Sequence, residues 1–152
     1  MKTFLAVGLL AALCQSAFSL DEGIYQIGSA SLSPSMVLTQ NEDEDSNPIV
    51  FEVDTREFTQ LWNITASNEF PEYFAIQALS GTYINCGTDE GTNCSLTDDP
   101  HLYKPEAVGD KAYELVEKES GYFLLVNDDR KLQLSNWDHS PEEQFVFVEF
   151  QE

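Results

Sequence analysis

FTQLWNI, residues 58–64, places one of the chain's 2 tryptophans two positions after a glutamine and one before the sequon Asn63-Ile64-Thr65. Side chains alternate along an extended strand, so Trp62 and Ile64 point one way while Leu61 and Asn63 point the other. An inward Trp62 puts Asn63 outside, where it can accept a glycan. A buried indole needs a partner for its N–H, and a nearby backbone carbonyl or the Gln60 amide can supply one. The stretch therefore reads as a core strand rather than a ligand contact.

Outward from it, short alternating runs are separated by Gly, Pro, Asn, Asp and Ser: GIYQI (23–27), PIVFEV (48–53), QLWNI (60–64), YFAIQ (73–77), TYINC (82–86), AYELVE (112–117), GYFLLV (121–126), KLQLS (131–135) and QFVFVEF (144–150). Eight or nine such strands predict an all-β domain. A short helix stays open in DPHLYKPEAVGD (99–110), limited by Pro100 and Pro105. The runs also repeat. Tyr25/Ile27, Phe74/Ile76 and Phe123/Leu125 are equally spaced, since 74 − 25 = 49 and 123 − 74 = 49. Each is followed by a second aromatic-x-aliphatic pair, Trp62/Ile64, Tyr113/Leu115 and Phe145/Phe147, at intervals of 62 − 25 = 37, 113 − 74 = 39 and 145 − 123 = 22. The third unit then lacks about fifteen residues of loop.

Three units that close on Gln-x-Trp or a degraded version of it resemble the ricin-B-type β-trefoil. Gln60-Leu61-Trp62 matches that signature, with Lys111-Ala112-Tyr113 and Glu143-Gln144-Phe145 as weak counterparts. QALSGTYI, residues 77–84, is similar to the segment in which a Ser-Gly turn precedes a unit's second strand. The layout is also similar to small fungal trefoil lectins and to mycocypin-type protease inhibitors. The resemblance implies a pseudo-threefold, six-stranded barrel capped by three hairpins, with Trp62, Tyr113 and Phe145 in equivalent inward places. It also implies carbohydrate or glycoconjugate binding, or protease inhibition through an exposed loop.

Residues 1–19 read as a secretory signal peptide. Lys2 precedes the apolar run FLAVGLLAALC, and Ala17 and Ser19 sit before the cut. Such a run is too short to span a bilayer. The expected mature chain, residues 20–152, holds 152 − 19 = 133 residues and forms one domain. Without Lys2 it carries 6 Lys+Arg against 27 Asp+Glu, a formal charge of −21. That charge repels phosphate backbones and anionic lipid, so nucleic-acid binding and membrane insertion are not expected.

In the oxidising compartment that secretion implies, Cys86 and Cys94 are expected to pair, while Cys14 leaves with the leader. His101 and His139 lack zinc-ligand spacing relative to them, so no metal or cofactor is expected. Catalysis is not expected either, because the chain has neither a Gly-x-Ser-x-Gly elbow nor a phosphate-binding glycine loop. The family's usual Asp after the second strand is absent at Met36-Val37-Leu38-Thr39-Gln40 and at Tyr83-Ile84-Asn85-Cys86.

The ligand-binding candidates are Asn136, Trp137, Asp138 and His139, a polar loop around one large ring before the closing strand. Trp137 either binds there or caps the barrel as a core residue. HLYKPE (101–106), with His101 and Tyr103, is a second candidate. TQNEDEDSNP (39–48) and the long second-unit loops are the candidate inhibitory loops, and NEDED within the first also reads as a solvated tip. Asn63 and Asn93 are the glycosylation candidates. Cys94 occupies the middle of the second sequon, and its oxidation should hinder transfer to Asn93. Mass spectrometry of the glycopeptides is expected to find lower occupancy at Asn93 than at Asn63, and full occupancy at Asn93 would contradict this.

Overall fold

The computed structural model describes residues 19–41, 49–136, 138 and 140–151. Its strands are β1 (Gly23–Ser29), β2 (Met36–Gln40), β3 (Ile49–Val53), β4 (Trp62–Ala66), β5 (Phe74–Ala78), β6 (Tyr83–Asn85), β7 (Ser95–Thr97), β8 (Leu102–Gly109), β9 (Ala112–Glu117), β10 (Phe123–Val126), β11 (Leu132–Ser135) and β12 (Phe145–Glu149). Single 3-10 turns at Phe58–Gln60 and Pro141–Glu143 precede β4 and β12.

Antiparallel pairing runs β1–β4–β5–β8–β9–β12 and returns from β12 to β1, which closes a barrel of six strands. The pairs β2–β3, β6–β7 and β10–β11 form three hairpins. They are joined to one another by the bridges Val50↔Lys131 and Asn93↔Gln133. Three four-strand units, each giving two strands to a barrel and two to a cap, make a β-trefoil. Closure leaves the barrel without a free edge, and so without a template for pairing with other chains.

The registers fix which residues are equivalent. Tyr25 faces Trp62, Phe74 faces Tyr103, and Tyr113 faces Phe145. Tyr25, Phe74 and Tyr113 therefore open the units, and Trp62, Tyr103 and Phe145 close them. This corrects the sequence reading in two places. Tyr113/Leu115 begins the third unit rather than ending the second, and the second unit ends on Tyr103/Pro105. The intervals become 62 − 25 = 37, 103 − 74 = 29 and 145 − 113 = 32, so the third unit has no missing loop. Phe123/Leu125 lies on a cap strand, where the buried pair is Leu124 and Val126. A one-residue shift in parity reverses the face of a strand, and this is what the equal 49-residue spacing concealed. The stretch 99–110 also forms no helix, because β8 pairs along its length with β9. Pro105, which has no N–H to give, sits opposite Leu115 beyond the last residue of β8 that pairs with β5.

The core is built in threefold layers. Ile27, Ile76 and Leu115 fill the barrel, and Leu38, Ile84 and Leu124 fill the underside of the hairpins. Between these layers the large rings Trp62, Tyr103 and Phe145 are fully enclosed. The Trp62 indole donates to the Leu38 carbonyl at 2.9 Å, and the Tyr103 hydroxyl donates to the equivalent Ile84 carbonyl at 3.1 Å. The backbone carbonyl, rather than the Gln60 amide, is thus the indole's partner.

Cys86 and Cys94 are bonded and close the β6–β7 loop. Closing nine residues stabilises by about 2.5 kcal/mol on the chain-entropy estimate. Leu20 is buried with the core side chains at the barrel end opposite the hairpins.

Candidate functional site

The glutamine of Gln-x-Trp turns out to be a clasp. Gln60 is buried, and its Oε1 accepts from the Thr55 N–H at 2.8 Å, the Thr55 hydroxyl at 3.2 Å and the Arg56 N–H at 3.1 Å. Its Nε2 donates to the Val53 carbonyl at 2.8 Å and to Thr39 Oγ1 at 3.2 Å. The amide thereby ties the loop after β3 to the strand that follows. It also holds Arg56 at φ 59°, a left-handed conformation that side-chain-bearing residues seldom adopt.

Beside the clasp lies a cleft of about 260 Å³, lined by Gln40, Asn41, Glu52, Thr55, Glu57 and Thr59 among others. Phe58, between two of these lining residues, is 77 % exposed. The 3-10 turn interrupts strand alternation at this point, so the ring that a strand pattern would have buried turns outward. An exposed ring next in the chain to a cleft of carboxylates, amides and hydroxyls can add apolar contact to the oriented hydrogen bonds that the cleft offers a small polar ligand. The sequence reading missed this site. The available signal was a phenylalanine directly after the polar run Asp54-Thr55-Arg56-Glu57 and before Thr59-Gln60.

The loop singled out in the third unit occupies the equivalent place, between β11 and the turn before β12. Asn136 and Asp138 are exposed, whereas Trp137 and His139 lie outside the described residues. The choice between binding and packing for that indole falls outside them as well. Glu143 takes the position of Gln60 and is 0 % exposed. Its Oε1 accepts from the Asp138 N–H at 3.2 Å, five residues back, as Gln60 does from Thr55. Burial pushes the Glu143 carboxyl up to about 7, with the Asp138 backbone hydrogen bond acting against the shift and the charges of Asp138 and Glu114 adding to it. Asp138 Oδ1 in turn accepts from the Ser140 N–H at 2.9 Å.

The second candidate divides. His101 is half-buried and lines a groove of about 220 Å³ with Phe70, Glu117 and Lys118. Tyr103 is enclosed in the core, where its hydroxyl also accepts from the Cys86 N–H at 3.1 Å. It therefore cannot flank an open loop as the sequence suggested. Of the acidic loop 39–48, residues 42–48 lie outside the described residues. Asn63 is half-buried within β4, and Asn93 is exposed beside Asn127, whose Nδ2 donates to its Oδ1 at 3.3 Å.

No protein-family model matches the chain, and no curated protein matches it by sequence. Solved structures do. The chain is similar to the Rhizoctonia solani agglutinin with a TM-score of 0.75 and 16 % identity, over 87 % of this chain and 98 % of that one. It is similar to the Macrolepiota procera ricin B-like lectin, solved in complex with lactose, with a TM-score of 0.72 and 15 % identity, over 86 % and 99 %. The designed threefold-symmetric protein ThreeFoil matches with a TM-score of 0.71 and 18 % identity, over 84 % and 99 %. At such identities the likeness establishes the β-trefoil fold.

Proposed function

We propose that this trefoil is a secreted, non-catalytic carbohydrate-binding protein whose first-unit cleft holds a saccharide. The observation that carries the reading is a cleft lined by Gln40, Asn41, Glu52 and Glu57, with the exposed Phe58 next in the chain to the lining residues Glu57 and Thr59. A pyranose has an apolar face that stacks on such a ring and hydroxyls that bond carboxylates and amides. The lactose complex of a trefoil sharing this architecture supports the class of ligand. The third-unit loop, Asn136 to His139, is proposed as a second subsite held by the Glu143 clasp. The protease-inhibitor alternative rests on the acidic loop and draws no support from these neighbours.

A glycan array on the purified protein tests the proposal. We expect saturable binding to at least one glycan class. Phe58→Ala should weaken it about tenfold, the scale of an aromatic contact of roughly 1.4 kcal/mol. Trp137→Ala should remove any residual binding due to the third unit. An array with no signal above background, or binding indifferent to both substitutions, would sink the reading.

A further inference from the structure

We propose that the barrel end opposite the hairpins is a binding site for an organic ammonium ion. β1 and β9 begin there and β12 ends there, around a cavity of about 310 Å³. Its wall is aromatic. The Tyr25 and Tyr113 rings meet Phe147 edge-on, with centroids 5.9 and 5.6 Å apart and interplanar angles of 79° and 83°. Its rim is acidic, with the exposed carboxylates of Asp21, Asp110 and Glu149 against the single lining cation Lys111.

A third observation is independent of the charges. Tyr113 is only 7 % exposed, yet it lines the cavity. The Tyr25 hydroxyl is already committed, donating to the Asp21 carbonyl at 2.9 Å. Both phenols are pushed up, by burial first and then by charge, from Glu149 and Asp21 on Tyr25 and from Asp21 and Asp110 on Tyr113. They remain neutral, and the carboxylates are close enough to act on them.

Aromatic rings with a rim of negative charge suit a large, weakly hydrated cation rather than a bare metal ion. Among the described residues no three His, Cys, Asp or Glu side chains are placed to hold a metal. The cation has two conceivable sources. One is a free amine. The other is the α-amine of Leu20, which also lines the cavity and which cleavage after Ser19 would release.

NMR titration of the secreted protein with tetramethylammonium chloride tests the site, following the Tyr25 and Tyr113 ring resonances. Saturable shifts are expected that neither sodium chloride at matched ionic strength nor the neutral analogue tert-butanol reproduces. Asp110→Asn combined with Glu149→Gln, both at exposed positions, should weaken binding at least about tenfold as two attractive charges are lost. If the chain's own amine is the occupant, the tyrosine resonances will instead titrate with an α-amine whose pKa lies above its ordinary value. Shifts equal to those with salt or tert-butanol, or unchanged in the double variant, would overturn the proposal. So would ring resonances that follow neither cation.

Discussion

Trp62→Ala is expected to lower the unfolding free energy by about 3–5 kcal/mol, the range for emptying a large aromatic site in a core. The reason is the position of the ring between two layers of the trefoil. Trp62 is fully buried, and its indole N–H ties the barrel strand β4 to the cap strand β2 through the Leu38 carbonyl. Truncation removes packing and also leaves that carbonyl short of a donor. A domain of this size has only roughly 5–15 kcal/mol in total, so the variant should melt at least about 10 °C lower. Trp62→Phe separates the two contributions. Phe145 already fills the equivalent place in the third unit, so a phenyl ring is compatible with the layer. The hydrogen bond is lost, and a decrease of about 1–2 kcal/mol is expected. Urea titration and thermal melts measure both. A Trp62→Ala loss below about 1 kcal/mol would show that the ring does not join barrel to cap.

The second large effect concerns Glu143, the carboxylic acid in the place of Gln60. Its folded pKa is raised from 4.5 to about 7, mainly by burial. The folded state therefore binds this proton more tightly than the unfolded chain does. The associated stability is fully present below pH 4.5 and is lost as pH rises to about 7. Above that, an ionised carboxylate is buried with the charges of Asp138 and Glu114 nearby. Glu143→Gln removes the titration and restores the amide that works in the first unit. It should stabilise the protein at pH 8 by up to about 3 kcal/mol and change little at pH 4. The measurement is the difference between wild type and variant in urea midpoints across that range. Taking the difference cancels the titration of the many other carboxylates. A variant no more stable than wild type at pH 8 would mean the native carboxylate is already compensated.

The sequence reading went furthest where local parity decides the outcome. QLW read as a core strand, and Trp62 is buried with Asn63 turned away from the core. Glu143-Gln144-Phe145 read as a degraded QLW, and Phe145 lies in Trp62's layer. It failed where two strands carry the same pattern. Aromatic-x-aliphatic pairs occur on β9 and on β10, and spacing alone chose Phe123/Leu125 over Tyr113/Leu115. His101-Leu102-Tyr103, the true second counterpart of QLW, was hidden because neither residue type nor spacing matched. Phe58 was missed for a different reason. A single 3-10 turn reversed the face that alternation would assign to it.

Residue types and their alternation were enough to determine an all-β domain, three imperfect repeats, a buried Trp62 and a paired Cys86 and Cys94. The strands and the buried Trp62 follow from steric and solvation preferences acting within a few residues, the repeats from recurrence of the pattern along the chain, and the cysteine pair from the oxidising compartment that a signal peptide implies. Only the tertiary structure decided which strands share a unit, which carbonyl receives the indole, and that Glu143 is buried as a clasp. It alone gathered Asp21, Tyr25, Tyr113 and Glu149 around one cavity. Those outcomes depend on hydrogen-bond registers between segments far apart in the chain, and alternation specifies a strand's faces without specifying its neighbour.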